Sequence, residues 1–130
     1  MREKMKKGYL ELGSNVGDCK KNLEKCIEIL NVNKGIYVKK TSRIHLTRPE
    51  GVDTQADFYN CAIEIDTVLS PEELLILTQD VERSFGRNNK GTGAPREMDI
   101  DILLYEDEII CSEDLTIPHP LLHERVFVLI

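Results

Sequence analysis

An α+β domain with an open antiparallel sheet is what the sequence predicts, on three observations. Two stretches repeat apolar residues at helical spacing and carry helix-start signals. The segments around them alternate with period two or are rich in β-branched residues. Strands and helices interleave along the chain, so the helices must cover the sheet they connect.

Residues 9–12 read as a short first strand, broken by the turn-forming run Gly13-Ser14-Asn15-Val16-Gly17. Asp18 then caps a helix in which Leu23, Cys26, Ile27 and Leu30 form one face, and Gly35 supplies a stop. Residues 36–47 are β-branched and broadly alternating, which predicts one strand that leaves through the loop Arg48-Pro49-Glu50-Gly51. A second long strand covers 58–67. Ser70-Pro71-Glu72-Glu73 is a strong helix start: Ser70 can cap, Pro71 suits the first helical position, and Glu73 can close a capping box. Leu74, Leu77, Thr78, Val81 and Phe85 make the buried stripe, and Gly86 ends the helix. A polar loop over 88–94 precedes a last strand over 98–105. The order β-α-β-β-α-β predicts a ferredoxin-like sheet with both helices on one face and an open substrate-binding face.

Alternation assigns the faces. Tyr59, Cys61, Ile63 and Ile65 should meet the helices, while Phe58, Asn60, Ala62, Glu64 and Asp66 point the other way. In the last strand Met98, Ile100, Ile102 and Leu104 take the helix side, which sends Asp99, Asp101 and Leu103 outward. Asp99, Asp101, Phe58 and Asn60 are therefore expected on the open face together.

Composition narrows the function. A chain of 130 residues is one ordinary domain, and 41% hydrophobic against 31% charged residues excludes disorder as its main state. A net charge of −6 repels phosphate backbones, so no nucleic-acid partner is expected. No run approaches the roughly 18 apolar residues of a membrane span, and no membrane partner is expected. Met1-Arg2-Glu3-Lys4-Met5-Lys6-Lys7-Gly8 is basic like a signal-peptide start, but Asn15, Gly17 and Asp18 interrupt the apolar run that should follow. The expectation is a cytoplasmic protein, with Cys19, Cys26, Cys61 and Cys111 as reduced thiols. None of them forms a CxxC pair that would suggest zinc.

Asp99 and Asp101 are i and i+2 on a strand, so their carboxylates emerge on one face roughly 6.5–7 Å apart at the backbone. That spacing lets both reach hydrated magnesium, which takes one or two carboxylates and fills its remaining positions with water and phosphate oxygens. An isolated Asp-x-Asp is more often a solvated acidic face. Two local features weigh against that. Leu103 on the same face implies apolar cover, and Arg83, Arg87, Lys90 and Arg96 stand just before the pair with only Glu97 to offset them. Cations leading into a carboxylate pair are the charge pattern of a bound polyphosphate. The competing reading, that Arg87 and Arg96 merely neutralise the aspartates in surface ion pairs, stays open on these residues alone.

Taken together the motifs resemble the 6-hydroxymethyl-7,8-dihydropterin pyrophosphokinase family of folate biosynthesis. The matching residues are Leu12-Gly13-Ser14-Asn15-Val16-Gly17, Phe58-Tyr59-Asn60, and Ser70-Pro71-Glu72-Glu73-Leu74-Leu75 with Gln79, Glu82 and Gly86-Arg87. They continue with Pro95-Arg96-Glu97-Met98-Asp99-Ile100-Asp101-Ile102-Leu103-Leu104-Tyr105, Ile117-Pro118-His119-Pro120, Arg125 and Phe127. The Pro-Arg-x-x-Asp-x-Asp-Ile-Leu block followed by Ile-Pro-His-Pro is the most specific part.

The resemblance implies transfer of the β,γ-pyrophosphoryl group of ATP to the hydroxymethyl oxygen of a reduced pterin, releasing AMP. It implies that Asp99 and Asp101 hold two Mg²⁺ ions, and that Arg87 and Arg96 meet the travelling phosphoryl oxygens. The pterin would lie with Phe58, Asn60, Phe127 and Thr47. ATP, as co-substrate, would lie with Gln79, Glu82, Ile102, Leu115, Thr116, His119 and Arg125. Gln79 and Glu82 are expected on one helical face away from the buried stripe. Gly13-Ser14-Asn15-Val16-Gly17 lacks the Lys of a P-loop and reads as a tight turn bordering the pterin pocket.

The chain departs from the family pattern at Gly93, where many relatives carry Trp, and at Pro120 and Asp114, where some carry Tyr and Arg. A single domain over 1–130 is expected, without the extension that relatives usually carry past the final Phe-Val-Leu. A monomer is expected. Two other functions remain on the residues alone: a non-enzymatic module sensing a nucleotide or metal on the same sheet, and an RNA-binding sheet, the latter disfavoured by charge and by the missing aromatic pattern.

Overall fold

The computed structural model describes residues 4–47, 57–86 and 97–120. Within them the elements run β1 (Lys6–Ser14), α1 (Cys19–Val32), β2 (Ile36–Thr41), β3 (His45–Thr47), β4 (Phe58–Thr67), α2 (Pro71–Ser84), β5 (Asp99–Tyr105), β6 (Ile110–Cys111) and β7 (Thr116–Ile117). The architecture is α+β. The main sheet has the order β2-β4-β1-β5, with β3 pairing β4, and every pairing is antiparallel.

β1 is central, hydrogen-bonded to β4 on one side and β5 on the other. That explains why it runs from Lys6 to Ser14, beyond the expected 9–12: the neighbours supply partners to polar ends that carry little strand signal of their own. Both helices pack on one face. Leu23, Cys26 and Leu30 of α1 and Leu74 and Val81 of α2 join one core with Leu10 and Leu12 of β1, Ile63 and Ile65 of β4, and Ile100 and Ile102 of β5.

The helix starts follow local chemistry. Asp18 accepts a hydrogen bond from Lys21 N and caps α1. At α2 the Ser70 hydroxyl accepts from Glu73 N at 3.1 Å while Glu73 Oε1 accepts from Ser70 N at 2.8 Å, a closed capping box with Pro71 following. Gly86 lies just past α2 at φ +82°, where a residue without Cβ is favoured.

Four expectations need correction. The strand expected over 36–47 is two strands, because the register shifts between Val38 and Lys40 and the chain leaves regular pairing after Thr41. Ser42 keeps that break against β4, its Oγ accepting from Ala62 N and its N–H donating to Ala62 O. Gly13 and Ser14 belong to β1, so the turn begins at Asn15, and Gly17 provides its positive φ of +78°. α1 stops at Asn33, before Gly35: Asn33 is extended, and its Oδ1 accepts from Gly35 N. Finally, a bulge between Tyr9 and Leu10 shifts β5, so Tyr105 joins the core in place of Leu104, and Tyr105 Oη donates to Leu69 O at 2.5 Å. Leu103 stays fully buried. The small β6–β7 hairpin was not anticipated, since two-residue strands show no periodicity.

Candidate functional site

The site begins with strand register on the face away from the helices. Asp99 is the partner of Gly13 on β1, Gly13 is the partner of Asn60 on β4, and Asn60 is the partner of His45 on β3. One step along, Asp101 is opposite Glu11 and Glu11 is opposite Ala62. The aspartate pair and Asn60 therefore share the open face, two strand spacings or about 10 Å apart.

Asn60 is only 6% exposed and sits in regular pairing, so it is neither a turn nor a bulge residue. Its Nδ2 donates to Thr47 Oγ1 at 2.5 Å, tying two of the expected pterin residues together. Thr47 is in turn the partner of the half-buried Phe58. Gly13 makes room for this corner: a Cβ built there would lie 2.7 Å from Asn60 Oδ1 and 3.3 Å from Phe58 Cδ1. Farther down the same face the polar surface is used internally, Tyr9 Oη donating to Glu64 Oε1 at 2.9 Å with Lys7 beside it. That hydrogen bond to the Glu64 carboxylate, with burial, raises the Tyr9 phenol above its ordinary value.

A second part of the site lies at the outer edge of β5. A cleft of about 210 Å³ is lined there by Asp101, Ile102, Leu115, Thr116 and His119, among others. These are four of the expected nucleotide residues and one aspartate. Asp101 joins the two parts, because His119 Nε2 stands 3.8 Å from Asp101 Oδ1. The His119 backbone N–H donates to Leu103 O at 2.9 Å, which seats the segment after β7 against β5. A larger cleft of about 680 Å³ lies on the helix side, with Lys20, Leu46 and Cys61 in its wall, and includes none of the expected site residues.

The remaining expected residues divide. Gln79 is half-buried on α2 and does not line the 210 Å³ cleft. Glu82 corrects the expectation of a face away from the buried stripe: it is 3% exposed, and its Oε2 accepts from Ile100 N at 2.7 Å. Helical spacing alone missed this because the core wraps far enough around α2 to include it. Arg87, Arg96, Arg125 and Phe127 lie outside the described residues, as do the loops over 48–51 and 88–94. Glu11, 5% exposed beside Asp101, was missed by the sequence reading. Its signal was present, a lone carboxylate at an open-face position within Leu10-Glu11-Leu12.

Among the described residues no group of three or more His, Cys, Asp or Glu forms a ready metal cage. Asp99 and Asp101, both half-buried, offer two carboxylates on one face. That donor set fits magnesium, which seldom takes an all-protein cage. The cysteines are free. Burial pushes the Cys26 thiol up to about 12 and the Cys61 thiol up to about 11. Both are therefore protonated and unreactive near neutral pH. No helix among the described residues is long and apolar enough to cross a membrane.

An open sheet face bearing paired carboxylates and a buried carboxamide, joined to an edge cleft, marks an α+β protein whose polar groups gather on the uncovered side of its sheet. The family model for 7,8-dihydro-6-hydroxymethylpterin-pyrophosphokinase matches residues 9–130, and the chain belongs to that family. It is 45% identical over 121 residues to the 2-amino-4-hydroxy-6-hydroxymethyldihydropteridine pyrophosphokinase of Bacillus subtilis, covering 93% of this chain and 72% of the relative. It is 41% identical over 119 residues to the protein of the same name from Aquifex aeolicus, covering 92% and 73%. Against the bifunctional protein FolKE of Lactococcus lactis it is 39% identical over 125 residues, covering 96% of this chain and 36% of the relative.

Proposed function

We propose that the open face of the sheet carries out pyrophosphoryl transfer on a reduced pterin. The chain is an ATP-dependent diphosphokinase of folate biosynthesis: it moves pyrophosphate from ATP to the hydroxymethyl group of 6-hydroxymethyl-7,8-dihydropterin and releases AMP. One observation carries the assignment of this chemistry to residues. The register that sets Asp99 opposite Gly13, and Gly13 opposite Asn60, brings a carboxylate pair and a buried carboxamide onto one surface.

The residues divide the work. The Asn60 carboxamide, braced by Thr47, can give and take hydrogen bonds along the edge of a flat heterocycle, and Phe58 supplies a ring against its face, with Phe127 as the second ring. Ile102, Leu115, Thr116 and His119 line the edge cleft and would take the adenine and the triphosphate, while Arg125 and Gln79 are assigned to the nucleotide from the family motifs alone. Arg87 and Arg96 neutralise the phosphoryl oxygens in flight. Asp99 and Asp101 would hold two Mg²⁺ ions, whose chemistry there would be neutralisation of phosphate charge. Glu11 stands opposite Asp101 and adds a further carboxyl group to the same face. The hydroxymethyl oxygen attacks the β-phosphorus, the bond from that phosphorus to the oxygen retained by AMP breaks, and the hydroxyl proton passes to Asp99 or to water.

The fold is ferredoxin-like, a reading supported by two β-α-β units whose strands interleave in the order β2-β4-β1-β5. A monomer in a cytoplasmic setting is the proposed working state, the setting being supported by the free thiols. Incubation with ATP, Mg²⁺ and the reduced pterin alcohol should release AMP. ATP binding without AMP would instead identify a sensing module. Asp101→Ala should abolish Mg²⁺-dependent turnover while circular dichroism stays unchanged, and full turnover in that variant would remove Asp101 from the metal site.

A further inference from the structure

We propose that Glu82 is a positioning residue for the aspartate pair, acting through the backbone of Ile100; the functional part of this inference rests on the pyrophosphokinase reading above. β5 carries both aspartates, and among the described residues it pairs with β1 alone, so its other side is the outer edge of the sheet. Edge backbone is where strands open most readily, because half of its polar groups lack a ladder partner. Here the edge is held by groups that are not strands. Ile100, the residue between Asp99 and Asp101, donates its N–H to Glu82 Oε2 at 2.7 Å, and Leu103 O accepts from His119 N at 2.9 Å.

The Glu82 placement works against two general tendencies. A carboxylate is disfavoured in the last turn of a helix, where the macrodipole is negative, and it is costly to bury. Glu82 is nonetheless 3% exposed at that end of α2. A charge-assisted hydrogen bond to a backbone N–H is the kind that offsets such a cost. The peptide unit it grips sets the direction of the two flanking side chains, because Asp99 and Asp101 leave the strand on either side of Ile100. Its partner on the other face, the Ile100 side chain, is buried in the core, so this peptide is held from the edge by α2 and from beneath by packing. Glu82 thus couples the end of α2 to the orientation of the carboxylates without touching the reacting atoms.

The test compares Glu82→Gln, which keeps an acceptor of the same length, with Glu82→Ala, which removes it. Two readouts are taken on the full chain: amide hydrogen exchange at Ile100, and Mn²⁺ binding in the presence of α,β-methylene-ATP. Glu82→Ala should speed Ile100 exchange and weaken Mn²⁺ binding roughly 10- to 100-fold, the usual effect of losing a group that orients a metal ligand. Glu82→Gln should keep both close to the parent values. Equal damage from Glu82→Gln would show that the charge, and not the hydrogen bond, matters, and would overturn the proposal. So would unchanged Ile100 exchange and Mn²⁺ binding in a folded Glu82→Ala protein that has lost turnover, which would make Glu82 a direct nucleotide contact. Should Glu82→Ala fail to fold, Glu82→Asp, whose side chain is one methylene too short for the 2.7 Å bond to Ile100 N, takes its place with the same expected and overturning results. If the parent protein releases no AMP while the exchange results stand, the reaction assignment fails and the backbone role survives.

Discussion

Asn60 and Gly13 illustrate how one residue's absent side chain positions another's. The carboxamide can reach Thr47 only because its partner on β1 has no Cβ, and a methyl group there would stand 2.7 Å from Asn60 Oδ1. Gly13→Ala should leave the fold intact, since no positive φ is needed at that position. It should turn Asn60 off Thr47 and lower pterin affinity on the order of tenfold, the equivalent of about one good hydrogen bond. Titration of the pterin against the variant checks this, and unchanged affinity would detach Asn60 from the pterin. The identity of both residues was legible in the sequence, but their dependence on each other was not, because it arises from pairing residues 47 positions apart in the chain.

At the scale of elements, local chemistry was the best guide. Both helices start where their caps predict, and the box at Ser70 and Glu73 closes in both directions. Ser70→Ala should therefore cost about 1 kcal/mol of stability in urea denaturation. A change close to zero would mean that packing of Leu74 and Val81 alone holds the start of α2. The strands were less legible. Alternation placed Asp99, Asp101, Phe58 and Asn60 on one face correctly, but it could not register the bulge opposite Tyr9 or the break after Thr41. Both depend on what the neighbouring strand allows, and neither leaves a mark on the period of its own segment.

Among the described residues one core is shared by both helices and one face of the sheet, and its cysteines report on it. Cys26 on α1 and Cys61 on β4 are buried, and burial is the leading cause that raises both thiols from an ordinary 9.0, to about 12 and about 11. In the native state they stay protonated at a pH where the unfolded chain has lost the protons. Their contribution to stability is complete below pH 9, falls as pH rises, and is gone above about 12 for Cys26 and about 11 for Cys61. Urea denaturation from pH 8 to pH 11 should show this decline, and Cys26→Ala should make it shallower; a parallel decline in that variant would assign it to other groups. By itself the sequence determined the α+β class, the helix starts set by caps, the face that carries the aspartates, and the family, because those signals are local or lie in contiguous motifs. Only the tertiary structure decided that Glu82 turns inward to hold Ile100, that Glu11 stands opposite Asp101, and that His119 closes on the same carboxylate. These meetings depend on strand register and on how far the core wraps around a helix, quantities set by the packing of distant segments that no local window of residues contains.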